Sequence, residues 1–198
     1  MEFILASNNR KKIEELRAIL AHAGHTVISQ AEAGLELAVE ETGETFAENA
    51  LLKAAAVVER TGRPAIADDS GLVVEALDGA PGVYSARYGG DACETDADRY
   101  RLLLKRMEGV GDRRAAFVSA IACVFPNRDI LRAEGVWRGR ILEAPEGEGG
   151  FGYDPVFYVP EEGLTAAELA AERKNQISHR ARALRKFIKK LEKYYADK

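Results

Sequence analysis

Apolar and polar positions recur along this chain with two periods, and each switch between them predicts an element boundary. Phe3 to Ala6 is a short apolar run and reads as a buried strand. Arg10 to Ala23 follows with Ile13, Leu16, Ile19 and Leu20 on one helical face and Gly24 as its stop. His25 to Ser29 predicts a second strand. Thr45-Phe46-Ala47-Glu48 has the form of a capping box, opening a helix through about Arg60 that ends at Gly62. Pro64 to Ala67 and Leu72 to Glu75 predict two strands, one on either side of the acidic pair Asp68-Asp69. Asp78 to Gly90, rich in Gly and Pro, predicts an ordered loop, and Thr95 to Met107 a helix. Arg114 to Phe125 and Ile130 to Leu142 read as long strands of an antiparallel hairpin, turned at Pro126-Asn127-Arg128-Asp129. A second glycine-rich loop covers Gly147 to Asp154, Thr165 to Glu168 has the form of another capping box, and an amphipathic helix runs from about Ser178 to Tyr195. Strands interleaved with helices, plus one long hairpin, predict an α/β fold with a mixed sheet and flanking helices.

Composition narrows the class. With 198 residues, 46% of them hydrophobic, the chain can bury a core as one unit or as two fused lobes. No stretch approaches the roughly 20 apolar residues of a membrane-spanning helix, and Met1 to Ala6 is too short and too acidic for a signal peptide. Cys93 and Cys123 have neither a disulfide framework nor metal-ligand spacing, which predicts a reducing, cytoplasmic setting. A net charge of -4 argues against a general nucleic-acid binder. The charge is nevertheless uneven. Six acids and no Lys or Arg lie between Ala31 and Leu52, whereas Arg173 to Lys198 holds ten bases against two acids. These are either solvated helix faces or a metal side and an anion side of one site.

The acidic pair is the sharpest chemical signal. Two adjacent carboxylates beside a buried apolar run cost free energy unless a cation or hydrogen bonds offset them. A hard metal ion held over a phosphate would do so. The turn Ser7-Asn8-Asn9-Arg10-Lys11-Lys12 joins a strand to a helix N-terminus, where free N–H groups and basic side chains suit an anion; its lack of glycines rules out a Walker loop. Glu40-Glu41 precede the capped helix and offer a further carboxylate for Mg²⁺, which takes one or two from protein and the rest from water and phosphate. Lys53 lies further along that helix. Phe151-Gly152-Tyr153-Asp154 combines two aromatics and a carboxylate, either to stack and read a base or to pack in the core. Ser178-His179-Arg180 opens the last helix, with Lys174 just before it.

As a set these motifs resemble one family. Ser7 to Lys12, Glu41 to Ala50, Asp68-Asp69-Ser70-Gly71, Gly79 to Tyr88, Gly149 to Pro155 and Ser178-His179-Arg180, in this order and spacing, are similar to the inosine triphosphate pyrophosphatase family in its bacterial dITP/XTP pyrophosphatase branch, the HAM1-like proteins. The resemblance covers nearly the whole chain. It implies a single domain over residues 1–198, an elongated α/β fold whose two lobes share a central cleft, a homodimer, and Mg²⁺ dependence. It implies hydrolysis of non-standard purine nucleoside triphosphates (ITP, dITP, XTP) to the monophosphate and pyrophosphate, clearing them from the nucleotide pool. Carried over by position, Asp69 resembles the general base and also approaches the metal, with Glu40 as the second metal-side carboxylate and Glu41 its rival. Ser7, Asn8, Asn9, Arg10, Lys11 and Lys12 resemble the phosphate turn, with Ser70, Lys53 and Lys174 as further substrate contacts. Phe151, Gly152, Tyr153, Asp154, His179 and Arg180 resemble the base pocket. Asn8 stands where the family commonly has glycine, so it is expected to adopt the backbone geometry glycine would have used. Asp68 receives no role. A nucleotide pyrophosphatase acting on standard or methylated nucleotides is the alternative enzyme. A non-catalytic nucleotide-binding regulator is the alternative from another class, although a pure binder has no need of a base such as Asp69.

Overall fold

In the computed structural model, residues 2–197 are described. Among them, seven strands and five α-helices follow in the order β1 (Glu2–Leu5), α1 (Arg10–His22), β2 (Thr26–Ser29), α2 (Phe46–Thr61), β3 (Ala65–Val74), α3 (Asp96–Arg106), β4 (Arg114–Val124), β5 (Ile130–Ile141), β6 (Phe157–Val159), β7 (Leu164–Thr165), α4 (Ala171–Ile177) and α5 (His179–Ala196). The strands form one mixed sheet in the order β2-β1-β3-β4-β5-β6-β7. β1 runs parallel to β2 and β3, while β6 is antiparallel to both β5 and β7. The predicted α/β class and mixed sheet are therefore present.

Two compact units divide the chain, with boundaries inside β3, β4 and β5 and between α4 and α5. The first comprises residues 2–69, 119–135 and 179–197. In it, Leu16 and Leu20 of α1 pack with Ala183, Leu184, Phe187 and Leu191 of α5, all fully buried, with Ile13 and Ile19 against the same cluster. This is the α1 face that the periodicity predicts. Each such Leu or Phe contributes about 1.5–3 kcal/mol by leaving water. A second cluster in this unit sets Ala50, Ala54 and Val57 of α2 on Ile4, Ala65 and Ala67. The capping box forms as expected, with Thr45 accepting from Glu48 N–H and Gly62 closing α2 at φ 64°. Gly135 is dictated by close approach: a Cβ there would collide with the His179 carbonyl and the Ala183 amide, so only glycine lets β5 pass the first turn of α5.

The second unit comprises residues 70–118 and 136–178. Trp137, Phe157, Leu72, Leu103 and Val156 form its core, with Phe117 and Phe157 at 4.5 Å between ring centroids. The loop over Asp78 to Gly90 is ordered by a turn of 3₁₀ helix at Gly82–Arg87, whose buried Ser85 Oγ accepts from Leu72 N–H at 2.9 Å.

Three local expectations are corrected. The acidic pair does not separate two strands; β3 runs unbroken through Asp68-Asp69-Ser70-Gly71. Asp, Ser and Gly are poor strand formers, but partners for the buried carboxylates outweigh that preference here. Thr165 and Glu168 do pair, with Thr165 N–H donating to the carboxylate at 2.8 Å. No helix starts there, because Thr165 belongs to β7 and its hydroxyl faces the Glu146 carbonyl, so it does not cap a first turn. The helix begins instead at Ala171, an element that the pattern did not predict.

Candidate active site

In the first unit, β1 empties into the polar turn at residues 7–9. Ser7 Oγ accepts from Asn9 N–H at 3.2 Å, and Asn9 caps α1 by accepting from Lys12 N–H at 3.1 Å. Asn8 Oδ1 accepts from Gln30 at 2.5 Å. Among the described residues only Asp78 and Arg128 combine a side chain with positive φ, so Asn8 needs no glycine-like backbone. Arg10 and Lys11 are exposed. Lys12 alone of the three bases turns inward, its Nζ 3.1 Å from Asp68 Oδ2.

Successive residues of a strand point to opposite faces, so Asp68 and Asp69 face different surroundings. Asp68 is 1% exposed. Ser119 Oγ donates to its Oδ1 at 2.5 Å, and Arg180 approaches its Oδ2 at 3.5 Å beside Lys12. Burial alone would raise its pKa, but Lys12, then Arg180, then the Ser119 hydroxyl hold the carboxyl far below the usual range. Arg180, itself 1% exposed, also pairs with Glu15 of α1.

Asp69 meets one cation. Lys53 Nζ donates to its Oδ1 at 2.8 Å, to Glu41 Oε1 at 2.8 Å and to the Asp68 carbonyl at 3.0 Å. Two carboxylates thus share one ammonium. Burial raises the Asp69 pKa more than Lys53 and Lys12 lower it. On Lys53, burial works downward but is outweighed by Asp69 and Glu41, so the ammonium holds its proton more firmly than usual. Glu41, the rival, therefore joins this cluster, while the expected Glu40 is exposed.

The second unit carries its own polar cluster. Lys174 Nζ lies 2.6 Å from Asp154 Oδ2, both nearly fully buried, and 4.8 Å from the centroid of the Phe151 ring. The same Oδ2 accepts from Phe151 N–H at 2.8 Å. Gly150, at φ 72°, leaves room for that carboxylate, which a Cβ there would strike. Tyr153 takes the packing alternative: it lies in the core and donates from its phenol to the Ser85 carbonyl at 2.9 Å. Gly152 N–H donates to Asp96 at 2.8 Å. Asp154 is thus committed to its own loop and Lys174. Ser70 is partly exposed, and His179 is buried.

Two members of the first cluster escaped the sequence. Ser119 is a lone hydroxyl in the apolar run of β4, and that isolation was its only signal. Glu15 stands beside Glu14 on α1, and nothing local distinguishes the two.

A profile of the Ham1 family matches residues 3–190. A protein of Gloeobacter violaceus called dITP/XTP pyrophosphatase is 54% identical over 185 residues, 93% of this chain and 91% of its own length. One of the same name from Thermus thermophilus is 52% identical over 190 residues, 95% of this chain and 90% of its own. Among solved structures, the Staphylococcus aureus Ham1 protein superposes with a TM-score of 0.88 at 42% identity, covering 98% of this chain and all of its own. A HAM1 protein from Coxiella burnetii gives 0.88 at 44% identity, covering 98% and 99%.

Proposed function

The chain belongs to the Ham1 family, and on that premise we propose that it hydrolyses non-standard purine nucleoside triphosphates (ITP, dITP, XTP) to the monophosphate and pyrophosphate. The observation that carries this reading is Asp69, a buried carboxylate with an upward-shifted pKa, hydrogen-bonded to Lys53 and sharing it with Glu41. A base is stronger when its proton affinity is raised, and Asp69 orients and deprotonates the water that attacks the α-phosphorus. Lys12, Lys53 and the turn Ser7-Asn8-Asn9 bind the phosphates, with Arg10 and Lys11 as further substrate contacts.

The acids around Lys53 suit Mg²⁺. Asp69 and Glu41 already gather about one positive charge, and Mg²⁺ takes only one or two protein carboxylates. Asp69 and Glu41 would hold the ion, and water and substrate phosphates would complete its shell. Glu41 with Asp69, rather than Glu40, is the pair we assign to it. When bound, the ion neutralises charge on the phosphates and the pyrophosphate leaving group.

Phe151, beside Asp154 and Lys174, serves the planar base, with Gly152 in the same loop. Hydrogen-bond donors read the 6-oxo group; the 6-amino group of adenine would face them donor to donor, a mismatch that discriminates more strongly than shape. The same reading includes a homodimer; a cytoplasmic setting is supported by two free, buried cysteines, and the absence of a nucleic-acid partner by the net charge of -4. No helix of the described residues is long and apolar enough to cross a membrane.

Pyrophosphate release from ITP, XTP, dITP, GTP and ATP, with and without Mg²⁺, tests this. Release from the first three that requires Mg²⁺ is expected, and no release from any nucleotide would overturn the reading.

A further inference from the structure

Asp68 matches every cation around it yet has no part in the proposed chemistry. Its Oδ1 accepts from the Ser119 hydroxyl at 2.5 Å, and its Oδ2 faces Lys12 at 3.1 Å and Arg180 at 3.5 Å. These partners come from β4, α1 and α5, so one carboxylate on β3 ties three other elements of its unit together. Arg180 is balanced by Glu15 as well, whereas Asp68 is the acid that faces Lys12. Lys12 is held at both ends, since its backbone N–H is capped by Asn9 at 3.1 Å. Its side chain keeps 16% of its surface exposed, while that of Asp68 keeps none. An ammonium fixed on one side by a buried anion and open on the other is set to receive a second anion.

We infer that Asp68 is a positioning residue, whose buried carboxylate holds the Lys12 ammonium at the phosphate turn for the polyphosphate of the substrate. This rests on the proposed function for the identity of the ligand, and it assigns Asp68 no contact with substrate. A lysine side chain gives up rotamer entropy when it is fixed, and one already held in place loses less of it on binding. The Ser119 hydroxyl has a subordinate part, fixing the carboxylate that fixes the lysine.

The test is a double-mutant cycle on the full chain, read by calorimetric binding of inorganic tripolyphosphate, which needs no turnover. Asp68→Asn and Lys12→Met are each expected to weaken binding by about tenfold or more. Their combination is expected to be no weaker than Lys12→Met alone. In hydrolysis, Asp68→Asn should raise KM more than it lowers kcat, which a purely structural defect would not do. If Asp68→Asn fails to fold, Ser119→Ala carries the cycle: a loss of about twofold to fourfold that disappears in the Lys12→Met background is expected. Additive effects, or wild-type binding by Asp68→Asn, would overturn the inference. Non-additivity in a chain that releases no pyrophosphate would leave Asp68 in its role and overturn the enzyme reading instead.

Discussion

The two units handle buried charge in opposite ways. In the second, Lys174 and Asp154 pair at 2.6 Å, and the same carboxylate oxygen accepts from the Phe151 N–H of its own loop. In the first, Lys12, Lys53 and Arg180 are shared among Asp68, Asp69, Glu41 and Glu15. That leaves an excess of acid, and it is not spread evenly. Asp68 collects two cations and a hydroxyl; Asp69 shares its single close cation with Glu41. A locally closed pair builds a rigid loop. An unevenly shared cluster produces neighbouring carboxylates with shifts of opposite sign, which is the arrangement that acid–base chemistry requires.

The sharpest way to break this contrast is to remove the under-compensated acid. Asp69→Asn should lower kcat by about 10²–10⁴-fold while leaving substrate affinity largely intact. A mutant that keeps wild-type turnover would remove Asp69 from the role of base. The wild-type rate should fall as pH drops through a pKa raised from the ordinary aspartate value, and a pH–rate profile of the mutant should lack that limb.

Removing the over-compensated acid should act on stability. Asp68→Asn leaves Lys12 and Arg180 short of a buried partner and should cost about 3–5 kcal/mol in urea unfolding. The sign with pH follows from its depressed pKa: the stability from Asp68 is fully present above the ordinary carboxylate range and is lost as pH falls below it. The gap between wild type and mutant should therefore close in acid. Asp69, with its raised pKa, contributes in the opposite sense, since its folded-state ionisation opposes stability as pH rises. A gap that stays constant into strong acid would contradict the hub.

In the second unit, Asp154→Asn should cost about 3 kcal/mol, because Lys174 loses its buried counter-charge. Asp154→Leu with Lys174→Met should unfold at higher urea than the single mutant, as expected when a buried pair is replaced by apolar side chains. The smallest effect separates two neighbouring acids. Glu41→Gln should raise the Mg²⁺ requirement about tenfold and Glu40→Gln by less than about twofold, read from the Mg²⁺ dependence of pyrophosphate release. The reverse ranking would restore Glu40 to the metal.

What was legible in the sequence is what depends on near neighbours. The α1 face at Ile13, Leu16, Ile19 and Leu20, the Thr45–Glu48 box and the Gly62 stop involve residues a few positions apart, and each stands as read. The continuity of β3 was hidden because Asp-Asp-Ser-Gly looks like a break to any local rule. Its compensation is remote: Ser119 lies 51 residues from Asp68, and Glu15 lies 165 from Arg180. Likewise, Tyr153 and Phe151 are equivalent as letters in a glycine-rich loop, and only packing sends one to the core and leaves the other beside an ammonium.

The sequence by itself determined α1, α2 and α5, the α/β class and which side chains were available for chemistry, because hydrophobic periodicity and capping act over a few residues. Tertiary structure alone decided which acid met which cation. Electrostatic energy depends on separation and burial, not on order along the chain, so two adjacent aspartates acquired pKa shifts of opposite sign only once β3 set them in different surroundings.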